Sequence, residues 1–254
     1  MTKSASSTTS ITPSSLTAGA SPTSTQTSMP HPRFWTDHYE EIVQAPESPT
    51  TNPVVFSTPT VTNRPALHVL YFDLEIRRSL EEMGDSWDNV KQGGGVSALV
   101  IWDEVAGRPY FYDDHTLLEA AQHLERADVV VGFNSAWFDL PLIVQHLDKH
   151  VSVKEHLDIF SLVKSALARE NKSWKGHGLD ALCMGTIGRG KSGHGAQAPG
   201  LAKHGRFAEL FNYCLDDVLL TRELAKFAAK NGFVIDRDGD KLALDIPDWF
   251  VLGA

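Results

Sequence analysis

Leu67-His68-Val69-Leu70-Tyr71-Phe72-Asp73-Leu74-Glu75 opens the part of this chain that reads as folded, and its last three residues decide how the rest is read. Successive strand side chains alternate between faces, so Asp73 and Glu75 project to one side of this apolar run and Leu74 to the other. Two carboxylates therefore share a face at a strand end. A second segment, Gly132-Phe133-Asn134-Ser135-Ala136-Trp137-Phe138-Asp139, follows the strand-like Asp128 to Gly132. It sets Asp139 in the first turn of a helix-like Trp137 to His150, where partly positive N–H groups accommodate an anion. A third, Tyr213-Cys214-Leu215-Asp216-Asp217, lies within the amphipathic stretch Phe207 to Lys230. Residues four apart stack on a helix, so Tyr213 and Asp217 share a face and Asp216 is rotated away.

Four carboxylates confined to a small volume repel one another, and burying them unpaired is costly, so hard cations are expected to bridge them. Oxygen-only ligands suit magnesium or manganese. Two such ions about 3.5–4 Å apart activate a water and stabilise the leaving oxygen of an in-line phosphoryl displacement, which makes phosphodiester hydrolysis the expected chemistry. Tyr213, with an unperturbed pKa of about 10, is a poor strong base, but its hydroxyl can orient a water. Taken singly, each segment has an ordinary structural reading: a solvated strand edge, a capped helix, a helical face.

At these residues the chain resembles the DEDDy 3′→5′ exonucleases of the ribonuclease-H-like superfamily, most closely the proofreading exonuclease domain of B-family DNA polymerases. Phe72-Asp73-Leu74-Glu75 is similar to the first motif of that family. Gly132-Phe133-Asn134 with Phe138-Asp139-Leu140-Pro141 is similar to the second, and Tyr213 to Asp217 to the third. The resemblance spans roughly Leu67 to Ile235. It includes His156-Leu157-Asp158-Ile159-Phe160 and His177 to Leu182 through Gly190-Lys191, which resemble the connecting helices. It implies a mixed sheet flanked by helices, with Asp73, Glu75, Asp139 and Asp217 as ligands of two Mg²⁺ or Mn²⁺ ions and Tyr213 as the water-orienting residue. It also implies substrate contacts at Leu74, Ile76, Asn134 and Phe138. Ile76 stands where the family usually has Thr or Ser, so a hydroxyl contact there is lost while the backbone N–H remains. After Ile235 only a short Asp/Gly-containing segment and an apolar tail follow, too short for a polymerase.

The rest of the composition bounds the reading. The chain has 254 residues and a formal net charge of −9. Met1 to Met29 is mostly Ser and Thr, with no acidic residue, and such a segment cannot bury a core. Residues 1–65 are expected to be a largely disordered tail, with Phe34-Trp35 and Val54-Val55-Phe56 forming either an arm packed on the domain or a partner-binding peptide. Residues 66–254 suffice for one α/β domain. No apolar run reaches 18 residues and no secretory h-region is present, so a soluble, cytoplasmic protein is expected. Cys183 and Cys214 form no CxxC pair and read as reduced core residues.

An acidic chain is at first sight a poor nucleic-acid binder. Its bases, however, gather in the linkers beside the motifs: Arg77, Arg78, Lys172, Lys175, Arg189, Lys191, Lys203 and Arg206. That pattern suits a gripped strand end, with Lys175 and Lys191 as phosphate contacts and Trp174 and His177 as stacking candidates. His194 and His204 read as solvated. Asp236, Asp238 and Asp240 depart from a calcium loop at Lys241 and Pro247, so Asp238-Gly239 reads as a hairpin turn. The expected activity is 3′→5′ exonucleolysis of single-stranded or frayed DNA, with a polymerase or helicase on another chain as partner. An exoribonuclease and a non-catalytic strand-end-binding subunit are the alternatives.

Overall fold

The computed structural model of the chain describes residues 67–193 and 195–251. The tail and arm expected over 1–65, and His194, lie outside the described residues. β1 (Val69–Ile76) is the middle of a five-stranded sheet of order β3-β2-β1-β4-β5, in which β2 is Val96–Asp103, β3 Arg108–Tyr112, β4 Val129–Gly132 and β5 Glu155–Asp158. β1 runs antiparallel to β2, with Asp73 opposite Val100 and Glu75 opposite Ala98. It runs parallel to β4, whose continuous valines match a strand covered on both faces.

Alternation along β1 divides the core in two. Val69 and Tyr71 pack with Val100, Phe111, Phe211 and Cys214 under the 25-residue helix α7 (Phe207–Asn231). Leu70, Phe72 and Leu74 pack on the other side with Leu117, Leu124, Leu142 and Ile143, from α2 (Leu117–Arg126) and α3 (Asp139–Leu147). The same alternation turns Asp73 toward α7, where the Cys214 thiol lies 3.3 Å from its carbonyl oxygen and 3.8 Å from Oδ2. Helices α4 (Ile159–Arg169) and α5 (Leu179–Ile187) complete the α7 side. The described residues form one α/β domain with a mixed sheet between helices, consistent with the ribonuclease-H-like fold.

Several local expectations change. His156-Leu157-Asp158 is an edge strand, not part of a helix; helix α4 starts at Ile159. Four residues with few apolar side chains carry too little periodicity to announce a strand. The turn before α3 extends through Phe138, because Asn134 takes a left-handed φ of 64° and the helix begins at Asp139. The polar stretch after β1, residues 77–95, holds helix α1 (Trp87–Gly93), capped by Ser86, whose hydroxyl accepts the Asn89 N–H. The Gly-rich loop over residues 188–205, before α7, holds a short helix, α6 (Ala198–Lys203), with Pro199 in its first turn. Strands β6 (Phe233–Ile235) and β7 (Lys241–Ala243) form the expected hairpin, and α8 (Asp248–Val251) follows. Gly239 there has a φ of 89°, and Asp236 accepts the Asp238 and Asp240 N–H groups. Among the described residues, no helix is long and apolar enough to cross a membrane.

Gly132 ends β4, an interior strand, where the chain turns toward α3. A Cβ there would sit 2.3 Å from Ser135 Oγ and 3.2 Å from Phe72 Cε1. Gly132→Ala is expected to lower unfolding stability by about 1–3 kcal/mol, as overpacked cores do. Urea unfolding measures this, and an unchanged midpoint would show that the turn can give way without cost.

Candidate metal centre and the adjoining groove

Three elements deliver the acidic groups. Asp73 and Glu75 come from β1, Asp139 from the first residue of α3, and Asp217 from α7, one turn beyond Tyr213. Asp139 Oδ1 accepts the Leu74 N–H at 3.1 Å, so the residue between the two strand acids holds the third acid in place. Glu75, Asp139 and Asp217 are buried; Asp73 is half-buried at the mouth. Carboxylate oxygens of Asp73 and Glu75 lie together with the Cys214 thiol, within 4.8 Å of one another. Asp139 and Asp217 are near enough to act electrostatically on Asp73.

The electrostatics follow from that crowding. Burial, then Asp139, Asp217 and Glu75, raise Asp73 well above the carboxylate range. Burial and Asp217 do the same to Glu75. Asp139 is pushed up to about 7 by burial, although its own and the Leu74 N–H groups oppose the shift. Asp217 is raised by burial and held back by Lys191, whose ammonium lies 2.5 Å from Asp217 Oδ2. Lys191 is itself raised because Asp217, Asp73 and Glu75 outweigh its burial. The loop that carries Lys191 is pinned by two carboxylates outside the cluster: Asp180 accepts the Lys191 N–H at 2.8 Å and Asp216 the Ser192 N–H at 3.0 Å. Asp216, rotated off the Tyr213–Asp217 face, thus fixes the loop.

Asp217 Oδ1 and the Tyr213 hydroxyl are buried and reach no hydrogen bond of good geometry, although Tyr213 lies close enough to Asp217 to hold its carboxyl down. An oxygen-rich cluster with one ammonium, an unpaired buried carboxylate oxygen and several raised carboxyls fits hard divalent cations. Cys214 does not fit as a ligand of a hard cation, since its sulfur is soft and its thiol meets the Asp73 carbonyl oxygen at 3.3 Å. Burial first, then Asp217, also raises Tyr213, so it stays a neutral phenol able to donate and accept. The Gly-rich loop packs on its ring: a Cβ at Gly193 would come within 3.2 Å of Tyr213 Cδ2.

Beside the acids runs a groove of about 710 Å³ lined by Trp87, Asn134, Trp137, Phe138, Phe160, Lys164 and Trp174. Trp87, Trp137 and Trp174 are each about half exposed. Trp137 stacks on Phe138 at 6.4 Å between ring centroids, and Trp174 meets Phe160 edge-on at 6.1 Å. Lys91 sits 4.0 Å over the Trp137 ring and Lys164 4.6 Å over Phe160. Asp158 shapes the groove floor by accepting the Asn134 N–H at 2.8 Å and the Ala136 N–H at 3.1 Å while capping α4.

The sequence-derived contacts divide accordingly. Asn134, Phe138 and Trp174 line the groove, whereas Lys191 lies among the acids. Leu74 turns its side chain into the core and its N–H to Asp139; Ile76, half-buried after a β-bulge, packs on the same core. Lys175 is exposed beside Trp174 and is not a groove-lining residue. His177 is buried, which removes it as a stacking platform. Most linker bases are ion-paired locally: Arg77 with Asp114, Lys172 with Asp236 and Asp240, Arg189 with Glu223, Lys203 with Glu82 and Arg206 with Glu209. Exposed His204 bonds the Gly200 carbonyl. Sequence reasoning missed Trp87, Trp137, Phe160, Lys91 and Lys164. The only local signal was the aromatic density of Trp137-Phe138, because Trp87 reaches the groove through tertiary packing of α1 on α3.

Between the ordinary aspartate value of 3.8 and about 7, folded Asp139 keeps a proton that the unfolded chain has released. Stability of the metal-free protein therefore falls as pH rises through that window. Thermal melts in chelator are expected to drop between about pH 4 and about pH 7, and to drop less for Asp139→Asn. In the same buffer near neutrality, Asp73→Asn is expected to melt a few degrees above the wild type, at roughly 2–4 °C per kcal/mol of relieved repulsion. Equal pH profiles and equal midpoints in all three proteins would mean that the acids do not sense one another.

No family model matches the chain, and no curated protein matches it. Among solved structures, it is similar to the family B DNA polymerase from the hyperthermophilic archaeon Pyrobaculum calidifontis, with 21% sequence identity and a TM-score of 0.48. The similarity covers 65% of this chain and 25% of that one, so the chain spans about a quarter of the polymerase.

Proposed function

We propose that this chain is a metal-dependent 3′→5′ exonuclease that hydrolyses single-stranded or frayed DNA from its 3′ end and releases nucleoside 5′-monophosphates. The observation that carries this reading is the convergence of Asp73, Glu75, Asp139 and Asp217 from three elements on one spot where a buried carboxylate oxygen lacks a partner. These four residues would hold two Mg²⁺ or Mn²⁺ ions, which supply an acidified water and stabilise the leaving 3′ oxygen. Tyr213, a neutral phenol beside Asp217, orients the attacking water without acting as a base. Lys191 balances carboxylate charge in the free enzyme and is within reach of a phosphate entering the same space. The aromatic groove suits unpaired bases, since stacking needs their faces exposed. DNA is preferred over RNA on the motif resemblance, which also suggests a polymerase or helicase on another chain as partner.

Incubation of 5′-labelled DNA and RNA oligonucleotides with the protein and magnesium, beside a chelator control, tests the reading. A DNA ladder shortening from the 3′ end is expected; an RNA ladder alone would make the protein an exoribonuclease, and strand binding without any ladder a non-catalytic subunit. Asp217→Ala is expected to lose activity by on the order of 10²-fold or more, since even residues behind metal ligands are worth about 10–100-fold. Tyr213→Phe, which leaves the metal ligands intact, is expected to lose less than Asp217→Ala.

Trp174→Ala is expected to raise KM with little change in kcat, because stacking is worth ~1–3 kcal/mol per base and acts away from the reacting phosphate. Steady-state kinetics on an oligothymidine substrate separate the two parameters. A loss confined to kcat would move Trp174 out of strand binding.

A further inference from the structure

At the other end of β1 lies a second polar cluster that the proposed nuclease chemistry does not use. His68 precedes the strand, Asp103 ends the paired β2, and His123 projects from α2; one ligand atom from each lies within 4.8 Å of the other two. Seven residues at about 3.3 Å each put His68 roughly 23 Å from Glu75 along the strand, so the two clusters are separate. Asp103 and His123 are buried and His68 is partly so.

The cluster is organised as ligands usually are. His123 is tethered through Nδ1 to the Tyr112 hydroxyl at 2.9 Å, which turns Nε2 toward Asp103 Oδ2 at 3.4 Å. Outer partners of this kind fix ring orientation and tautomer in metal-binding histidines. Asp103 is held rigidly, because its Oδ1 accepts the Val105 and Ala106 N–H groups at 2.9 and 3.0 Å. His68 is positioned by its backbone, whose N–H donates to Asp128 Oδ2 at 3.0 Å. Its Nε2 is sealed from solvent and stands 3.1 Å from Asp103 Oδ1, an ion pair when the ring is protonated but not a hydrogen bond of good geometry. A buried imidazole nitrogen beside a carboxylate, but out of line with it, is an unsatisfied ligand atom. The other mixed cluster, His177 with Asp236 and Asp238, is weaker because the Lys172 ammonium already occupies Asp236 Oδ2 at 3.0 Å.

We propose that His68 Nε2, His123 Nε2 and the Asp103 carboxylate form a zinc site that clamps the start of β1, the β2–β3 turn and α2. Two imidazoles and one carboxylate select zinc or a similar transition ion over magnesium. A metal on Nε2 puts the His123 proton on Nδ1, from where it donates to the Tyr112 oxygen. The role is structural: His68, Asp103 and His123 belong to none of the three motifs and do not line the aromatic groove, and the proposal does not depend on the nuclease reading.

The test is equilibrium dialysis of full-length Asp217→Asn protein, which weakens zinc binding by the acidic cluster, at micromolar free zinc with excess magnesium. One equivalent of zinc is expected, with a higher thermal midpoint than in chelator. Adding His68→Ala should abolish that equivalent while leaving the midpoint in chelator near its parent, and His177→Ala should leave it in place. Tyr112→Phe keeps the packing and is expected to weaken zinc by about 10–100-fold, a change that loss of a merely structural hydrogen bond would not produce. Cobalt substituted for zinc should give visible absorption bands that disappear with His68→Ala. No bound zinc, retention of zinc by His68→Ala, or its loss in His177→Ala would each overturn the assignment.

Discussion

Confining four carboxylates beside the central strand of a sheet is the constraint on which much of this structure turns. Burial raises all four acids, joined by repulsion from the other acids at Asp73 and Glu75, from Asp158 at Asp139 and from Asp216 at Asp217. The fold counters it with Lys191 and with backbone donors. Leu74 contributes twice, its side chain anchoring one core and its N–H holding Asp139. The loop bearing Lys191 is secured by Asp180 and Asp216, so acids outside the cluster position the cation inside it. Such an arrangement sacrifices stability for a site that divalent cations would complete.

At −9 the chain has no surplus of bases, and most linker bases are neutralised by neighbouring acids. Recognition of a strand would then rest on the aromatic groove, where Trp87, Trp137, Phe138, Phe160 and Trp174 offer apolar faces and Lys91 and Lys164 sit over two of the rings. Stacking is less screened by salt than phosphate contacts are, and it is tolerant of sequence. A gripped end needs few charges; a long track needs many.

The sheet therefore carries different chemistry at its two ends. Oxygen ligands gather where β1 leaves the core, and imidazoles meet one carboxylate where it enters. Ligand softness would separate the ions the two ends could hold, hard cations at one and zinc-like cations at the other. Tethering β1, β2 and α2 at the entering end would stiffen the strand whose other end must hold Asp73 and Glu75 in register.

What was legible in the sequence were features set by short-range geometry. Strand alternation determined that Asp73 and Glu75 share a face, helical stacking that Tyr213 and Asp217 do, and the valine run that β4 is buried on both faces. Those regularities repeat every two or four residues, so a local reading recovers them. Tertiary structure decided what depends on residues far apart in the chain: Leu74 beneath Asp139, Lys191 against Asp217, Trp87 beside Trp137, and His68 against Asp103. It also made an edge strand of Glu155–Asp158, whose pairing with β4 supplies the order that its own four residues lack. Burial and pairing are properties of the assembled fold, and they alone determined which bases are neutralised and which acids hold their protons.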